Sequence, residues 1–221
     1  FLLVTIDNPP TFTSFIDRFL ATTEAYSIKA VILFNKVDVN NAVSNNIVKK
    51  LRTLYEGIGY QCLIISAKTG ENIESVKKLM TGKSSMFAGH SGVGKSTLVN
   101  SIEPGLNIKT KEISDQHKQG QHTTTFAEMF DLSFDAQIID TPGIKGFGVV
   151  DMAPAELDNY FPELFALKQS CKFNNCLHLH EPNCAVKKAI ENNIVAASRY
   201  KSYKQILEGD EEHYRTDNHD S

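Results

Sequence analysis

The chain has 221 residues, enough for one large domain or one domain with an appendage, and either can bury a real core. Hydrophobic residues make up 41% and charged residues 22%, an ordinary globular balance, and the longest apolar runs (30–34 and 63–65) fall far short of the ~20 residues that cross a bilayer. A net charge of −3 gives no sign of a broad nucleic-acid-binding face, so any RNA contact must come from a local patch or a segment missing from this sequence. No secretory leader is read, and cytoplasmic residence is the expectation.

The chain opens on FLLVTI, an apolar run that reads as a buried strand and suggests a piece of a longer protein. After a Pro-Pro start, Phe12, Phe15, Ile16, Phe19 and Leu20 recur at helical spacing, which predicts a helix with a core-facing stripe. AVILFN (30–35) is strand-like, residues 43–55 helix-like, and QCLIIS (61–66) another buried strand. Residues 71–80 read as a helix, 84–90 as a strand running into a glycine-rich loop, and 95–102 as the next helix. Such alternation predicts a mostly parallel sheet with helices on both faces.

Residues 104–122 are polar without an apolar period and read as a mobile loop. Residues 125–134 and 137–140 look like a pair of strands; past 148 the strand pattern stops. Residues 156–167 read as helical and 186–206 as one or two helices. The acidic end, 209–221, reads as disordered.

The glycine-rich loop is GHSGVGKST: Gly89, His90, Ser91, Gly92, Val93, Gly94, Lys95, Ser96 and Thr97. It matches G-x-x-x-x-G-K-[ST] between a predicted strand and a predicted helix. Its glycines let backbone amides close around phosphate oxygens, Lys95 reaches the terminal phosphates, and Ser96 ligates Mg²⁺. Upstream of it lies NKVD, Asn35 to Asp38. A carboxylate such as Asp38 accepts two hydrogen bonds from the N1–H and 2-amino group of guanine, donors that adenine lacks in that arrangement. Asn35 and Lys36 brace the loop and cover the base.

SAKTG begins at Ser66; Ala67 suits a backbone contact to the guanine oxygen and Lys68 the other face of the base. DTPG, from Asp140 to Gly143, places a carboxylate for water-mediated Mg²⁺ binding and a glycine amide for a γ-phosphate. Within HTTT, starting at His122, Thr124 is the candidate third Mg²⁺ ligand. Ile144 stands where Ras-like enzymes usually carry a glutamine that orients water; His122 is the candidate that replaces it, set against its reading as an exposed loop histidine.

In CKFNNCLHLHEPNC, Cys171, Cys176, His178 and Cys184 form C-x4-C-x-H-x5-C, a set suited to closed, structural Zn²⁺, with His180 as the alternative nitrogen ligand. Cys62, in an apolar strand, reads as a small core residue.

The order NKVD, SAKTG, GHSGVGKST, HTTT, DTPG and then the cysteine cluster resembles the RsgA family of circularly permuted GTPases of small ribosomal subunit assembly. The resemblance implies an α/β fold: a circularly permuted Ras-like P-loop GTPase domain (1–150) followed by a small zinc-binding helical domain (151–208). It implies GTP hydrolysis with Mg²⁺, stimulated by the small subunit during late maturation, and contacts to ribosomal RNA. It also implies His178 as the zinc ligand and His122, with Lys95, as the catalytic pair. The family usually begins with an oligonucleotide-binding barrel, which this sequence does not contain. A monomer that makes no membrane contact is expected. The competing class is a ribosome-bound GTP-sensing switch or scaffold in which turnover is incidental, and a permuted GTPase of the large subunit is the runner-up among enzymes.

Overall fold

A computed structural model describes residues 1–106, 128–140 and 152–209. The chain divides into two compact units, Phe1–Thr11 with Val31–Gly148 and Phe12–Ala30 with Val149–Ser221.

The first unit is built on parallel strands. β1 (Leu2–Val4), β2 (Val31–Phe34) and β3 (Gln61–Ile64) pair side by side, with Leu3 opposite Leu33 and Leu33 opposite Leu63. Every residue of β1 and β2 is buried, which explains their unbroken apolar runs: a strand covered on both faces does not alternate. A second sheet has the order β4 (Ser84–Ser85), β6 (Gln137–Asp140), β5 (Glu128–Asp131), with β5 antiparallel at the edge. Leu2 bridges to Ala88 in parallel; Leu3 N donates to the Ala88 carbonyl at 2.8 Å and Ala88 N to the Phe1 carbonyl at 2.8 Å. The strands therefore run β3-β2-β1-β4-β6-β5. The first three in sequence lie to one side of the strand that feeds the glycine loop and the last two to the other, as a rotated chain order requires.

Three helices of this unit are described. α2 (Ala42–Ile58) is capped by Asn41, whose side chain accepts from Ser44 N at 3.0 Å, a bond of a kind worth ~1 kcal/mol, and it stops at Gly59 with φ +117°. α3 (Ile73–Met80) and α4 (Lys95–Ile102) turn Val76, Met80, Leu98 and Ile102 into one core with Leu3, Leu33, Ile65 and Ile138. The strand expected over 84–90 is only two residues long, followed by the single bridge at Ala88.

The second unit is helical. It contains α1 (Thr13–Ala25), a 3-10 turn (Leu157–Tyr160), α5 (Pro162–Lys168), α6 (Ala185–Glu191) and α7 (Ala197–Leu207). α1 packs on α7 and on the 3-10 turn, so residues 12–30 fall outside a first domain drawn as 1–150. An ionic knot fixes it. Fully buried Arg199 donates to Asp17 of α1 at 2.9 Å and, through Nε and Nη2, to Glu163 of α5 at 2.6 and 3.1 Å, with its guanidinium 4.5 Å from the Phe161 ring centroid. Burial opposes the charge, and the two carboxylates more than offset it, raising the Arg199 pKa. Ile16, Phe19 and Leu20 of the expected stripe are buried, whereas Phe12 precedes the helix and is 55% exposed.

The helix expected over 156–167 is broken in two. Pro162 takes the first helical position of α5, where its missing N–H costs nothing, and holds Phe161 extended at φ −120° and ψ 95°. Among the described residues no helix is long and apolar enough to cross a membrane.

Candidate functional site

The glycine loop leaves Ala88 and turns at Gly89, where φ is +142° and a Cβ would lie 2.7 Å from the Leu3 carbonyl oxygen; no other residue fits there. At Gly94, φ is +100° and a Cβ would lie 2.5 Å from Asn35 Nδ2. That second approach is close because Asn35 belongs to the loop's architecture. Its buried amide donates to the Val93 carbonyl at 2.8 Å and accepts from Ala67 N at 2.9 Å. One side chain thus ties together NKVD, the phosphate loop and SAKTG, although 58 residues separate Asn35 from Val93. The Ala67 N–H, offered by sequence reading to the guanine oxygen, is here engaged by Asn35.

Asn35→Ala would leave a buried carbonyl and a buried amide unpaired, each costing about 1–3 kcal/mol. We expect GTP affinity to fall by roughly 10–100-fold in a titration with fluorescent GTP, with the melting of the second unit unchanged.

Lys95 Nζ donates to the carbonyls of Gly89 at 2.6 Å and His90 at 2.8 Å, so its ammonium is held at the mouth of the loop; burial lowers its pKa. Ser96 and Thr97, in the first turn of α4, are exposed. Val93 is buried in the core and anchors the loop from below.

Past β2 the chain turns through Lys36 in a left-handed conformation, φ +66°, into a 3-10 turn (Val37–Val39) that lifts Asp38 to the surface. Buried Ser66 donates its hydroxyl to Asp38 Oδ1 at 2.7 Å and accepts from Thr69 N at 3.1 Å. The carboxylate is therefore held by one oxygen on a rigid strand end. Lys68 is exposed.

Sequence reading missed the segment that flanks this loop. Lys36 Nζ donates to the Asn8 carbonyl at 2.6 Å, and Pro9 Cδ lies 3.4 Å from where a Gly92 Cβ would be. The turn is closed on itself by Thr5 N to Thr11 Oγ1, Thr11 N to the Thr5 carbonyl, and Thr5 Oγ1 to the Pro9 carbonyl. A DNPP run signals a turn but not its neighbour.

Asp140 ends β6, its backbone opposite Glu128. The Asp140 side chain, and all of His122, Thr124 and Gly143, lie outside the described residues.

In the second unit the ligating atoms of Cys171, Cys176, His178 and Cys184 all lie within 4.8 Å of one another. His178 Nδ1 is 3.3 Å from Cys184 Sγ and 3.7 Å from Cys171 Sγ, and those two sulfurs are 3.9 Å apart. A tetrahedron with Zn–S of about 2.3 Å and Zn–N of about 2.0 Å has edges of roughly 3.5–3.8 Å, so the donor set fits that ion in chemistry and size. His180, by contrast, is exposed and outside the cluster.

The turn between the ligands is held by Glu181, whose carboxylate accepts from the backbone amides of Leu177, Leu179 and His180 at 2.7, 2.8 and 3.0 Å. Partial burial raises its pKa, but those amides outweigh it and hold the carboxyl below its ordinary range. They also permit the left-handed φ of +60° at His178. Tyr200 and Tyr203 of α7 donate to the carbonyls of His178 at 2.6 Å and Leu177 at 3.0 Å. Cys62 is far from nucleophilic: burial first, and Glu56 second, push its thiol up to about 12.

A family model described as RsgA GTPase matches residues 1–150. A relative in Flavobacterium johnsoniae named small ribosomal subunit biogenesis GTPase RsgA is 64% identical over 217 residues, covering 98% of this chain and 67% of that protein. A protein of the same name in Bacteroides fragilis is 52% identical over 211 residues, covering 96% of this chain and 68% of its own. This chain thus spans about two thirds of their length. Among solved structures, YjeQ from Thermotoga maritima superposes with a TM-score of 0.81 at 37% identity over 94% of this chain and 69% of that one. YloQ, described as a circularly permuted GTPase, gives a TM-score of 0.76 at 30% identity over 94% of this chain and 66% of that one.

Proposed function

The chain belongs to the RsgA GTPase family, and from that membership we propose that it binds and hydrolyses GTP in the biogenesis of the small ribosomal subunit. The observation that carries the nucleotide reading is the double hydrogen bond of Asn35, which draws the base-reading strand ends and the phosphate loop into one rigid cluster despite their inverted order.

In this reading Asp38, steadied by Ser66, reads guanine, and Lys36 and Lys68 cover its faces. The loop from Gly89 to Thr97 wraps the phosphates with backbone amides and Lys95. Ser96 and, through water, Asp140 would hold Mg²⁺, Thr124 would join them in the triphosphate state, and the Gly143 amide would serve the γ-phosphate; the ion would neutralise charge on the phosphates. His122 orients the attacking water. Cys171, Cys176, His178 and Cys184 hold one structural Zn²⁺, and the closed shell leaves no position for a substrate. The protein acts as a cytoplasmic monomer on the small subunit and its ribosomal RNA during late maturation, and the subunit accelerates hydrolysis. A second reading, a GTP-sensing switch with incidental turnover, draws on Ile144, whose apolar side chain cannot orient water.

Asp38→Asn tests the base assignment. An amide presents a donor where guanine offers two, so GTP affinity should fall by roughly 10²–10⁴-fold, two charge-assisted bonds at about 1.5–3 kcal/mol each. Xanthosine triphosphate, with a carbonyl at C2, should become the better ligand. Unchanged GTP affinity would remove Asp38 from base recognition.

A further inference from the structure

Asp158 lies 20 residues before His178 in sequence, outside the cysteine cluster, and nothing in its sequence surroundings marks it. In the fold Asp158 is buried, 2% exposed, as the second residue of the 3-10 turn that precedes α5. Its Oδ2 is 3.2 Å from His178 Nε2, and its Oδ1 accepts from Lys168 Nζ at 2.8 Å. Lys168 also donates to Asn159 Oδ1 at 3.1 Å, so the carboxylate is pinned on the side away from the imidazole. The opposite ring nitrogen, Nδ1, faces the sulfurs of Cys184 and Cys171 at 3.3 and 3.7 Å.

An imidazole that ligates a cation through Nδ1 must carry its proton on Nε2. A carboxylate beside Nε2 favours that tautomer, fixes the ring plane and makes Nδ1 a stronger donor to a metal. The ring is fully buried, out of reach of bulk water. We propose that Asp158 is the positioning residue of the metal centre, selecting the Nδ1-ligating form of His178 and held in place by Lys168. The inference rests on the zinc reading of the cluster. It extends the centre from the cysteine loop to the 3-10 turn and α5, which joins the metal to the layer that carries Glu163 and Arg199.

Zinc affinity of the full chain, measured by competition with a chromophoric chelator, tests this. Asp158→Asn keeps the shape and removes the charge, and Asp158→Ala removes both. Each should weaken zinc by about 10–100-fold, the usual cost of losing such a partner. In the cobalt-loaded protein both should shift the ligand-field bands that report the imidazole donor. Lys168→Met, which removes one anchor of the carboxylate but leaves Nε2 its acceptor, should weaken zinc clearly less than either Asp158 variant. Wild-type affinity in both Asp158 variants would overturn the proposal, as would a Lys168→Met loss as large as theirs, since Asp158 would then act through packing. A wild-type chain that binds no zinc would sink the zinc reading and this inference with it.

Discussion

Replacing His122 with alanine is expected to abolish the acceleration of GTP hydrolysis by small ribosomal subunits while leaving GTP affinity unchanged. Lys95 is anchored to the loop carbonyls of Gly89 and His90, and in the proposed mechanism it serves phosphate charge rather than water. The side chain of Ile144, next to DTPG, has no polar atom to offer, and the proposed mechanism gives the nucleophile's orientation to the histidine of HTTT. In phosphoryl transfer a water-positioning arrangement completed by a partner is worth up to ~10⁵-fold, so the loss should be of that order in single-turnover assays with subunits present and small in their absence. Equal stimulated rates in the two proteins would remove His122 from the mechanism.

Cys176→Ser, or stripping the metal with a chelator, should unfold the second unit. Structural zinc contributes about 10–16 kcal/mol in small domains of this kind, more than a helical layer with one modest core can replace. Burial already pushes the Cys176 thiol up to about 12, with neighbouring thiols adding to it, so without a cation the cluster places hydrogen-bonding groups in apolar surroundings for little return. Because α1 packs on α7 and Asp17 pairs with Arg199, the damage should reach the other end of the sequence. Hydrogen exchange should show lost protection over 13–25 as well as 185–207, with the strands at 31–34 and 61–64 still protected. Protection of α1 that survives metal loss would show that the helix does not depend on the cysteine cluster.

Residues that act through local backbone geometry were legible in the sequence. GHSGVGKST announces its turn through glycines that the structure holds at positive φ, and the clustered cysteines and histidines announce a ligand set whose atoms the fold brings together, with the resemblance selecting His178 over His180. The burial of Cys62 and the face of α1 formed by Ile16, Phe19 and Leu20 follow from periodicity alone. What periodicity cannot supply is the partner. The α1 stripe says that one face is buried, and contacts made in the fold, packing on α7 and the pairing of Asp17 with Arg199, 182 residues away, assign it to the second unit rather than the first. Asn8 at Lys36 and Asp158 at His178 were invisible for the same reason, being contacts made by the fold between residues with no motif of their own. The break at Pro162 was legible in principle, since proline opens helices more readily than it continues them.

The central claim is that this permuted nucleotide site hydrolyses GTP in response to the small ribosomal subunit. Single-turnover hydrolysis of GTP by this chain, measured alone, with small subunits and with large subunits, tests it most directly. The account predicts a slow rate alone, a large acceleration with small subunits, and none with large ones. The same rate in all three, or acceleration by the large subunit, would contradict it.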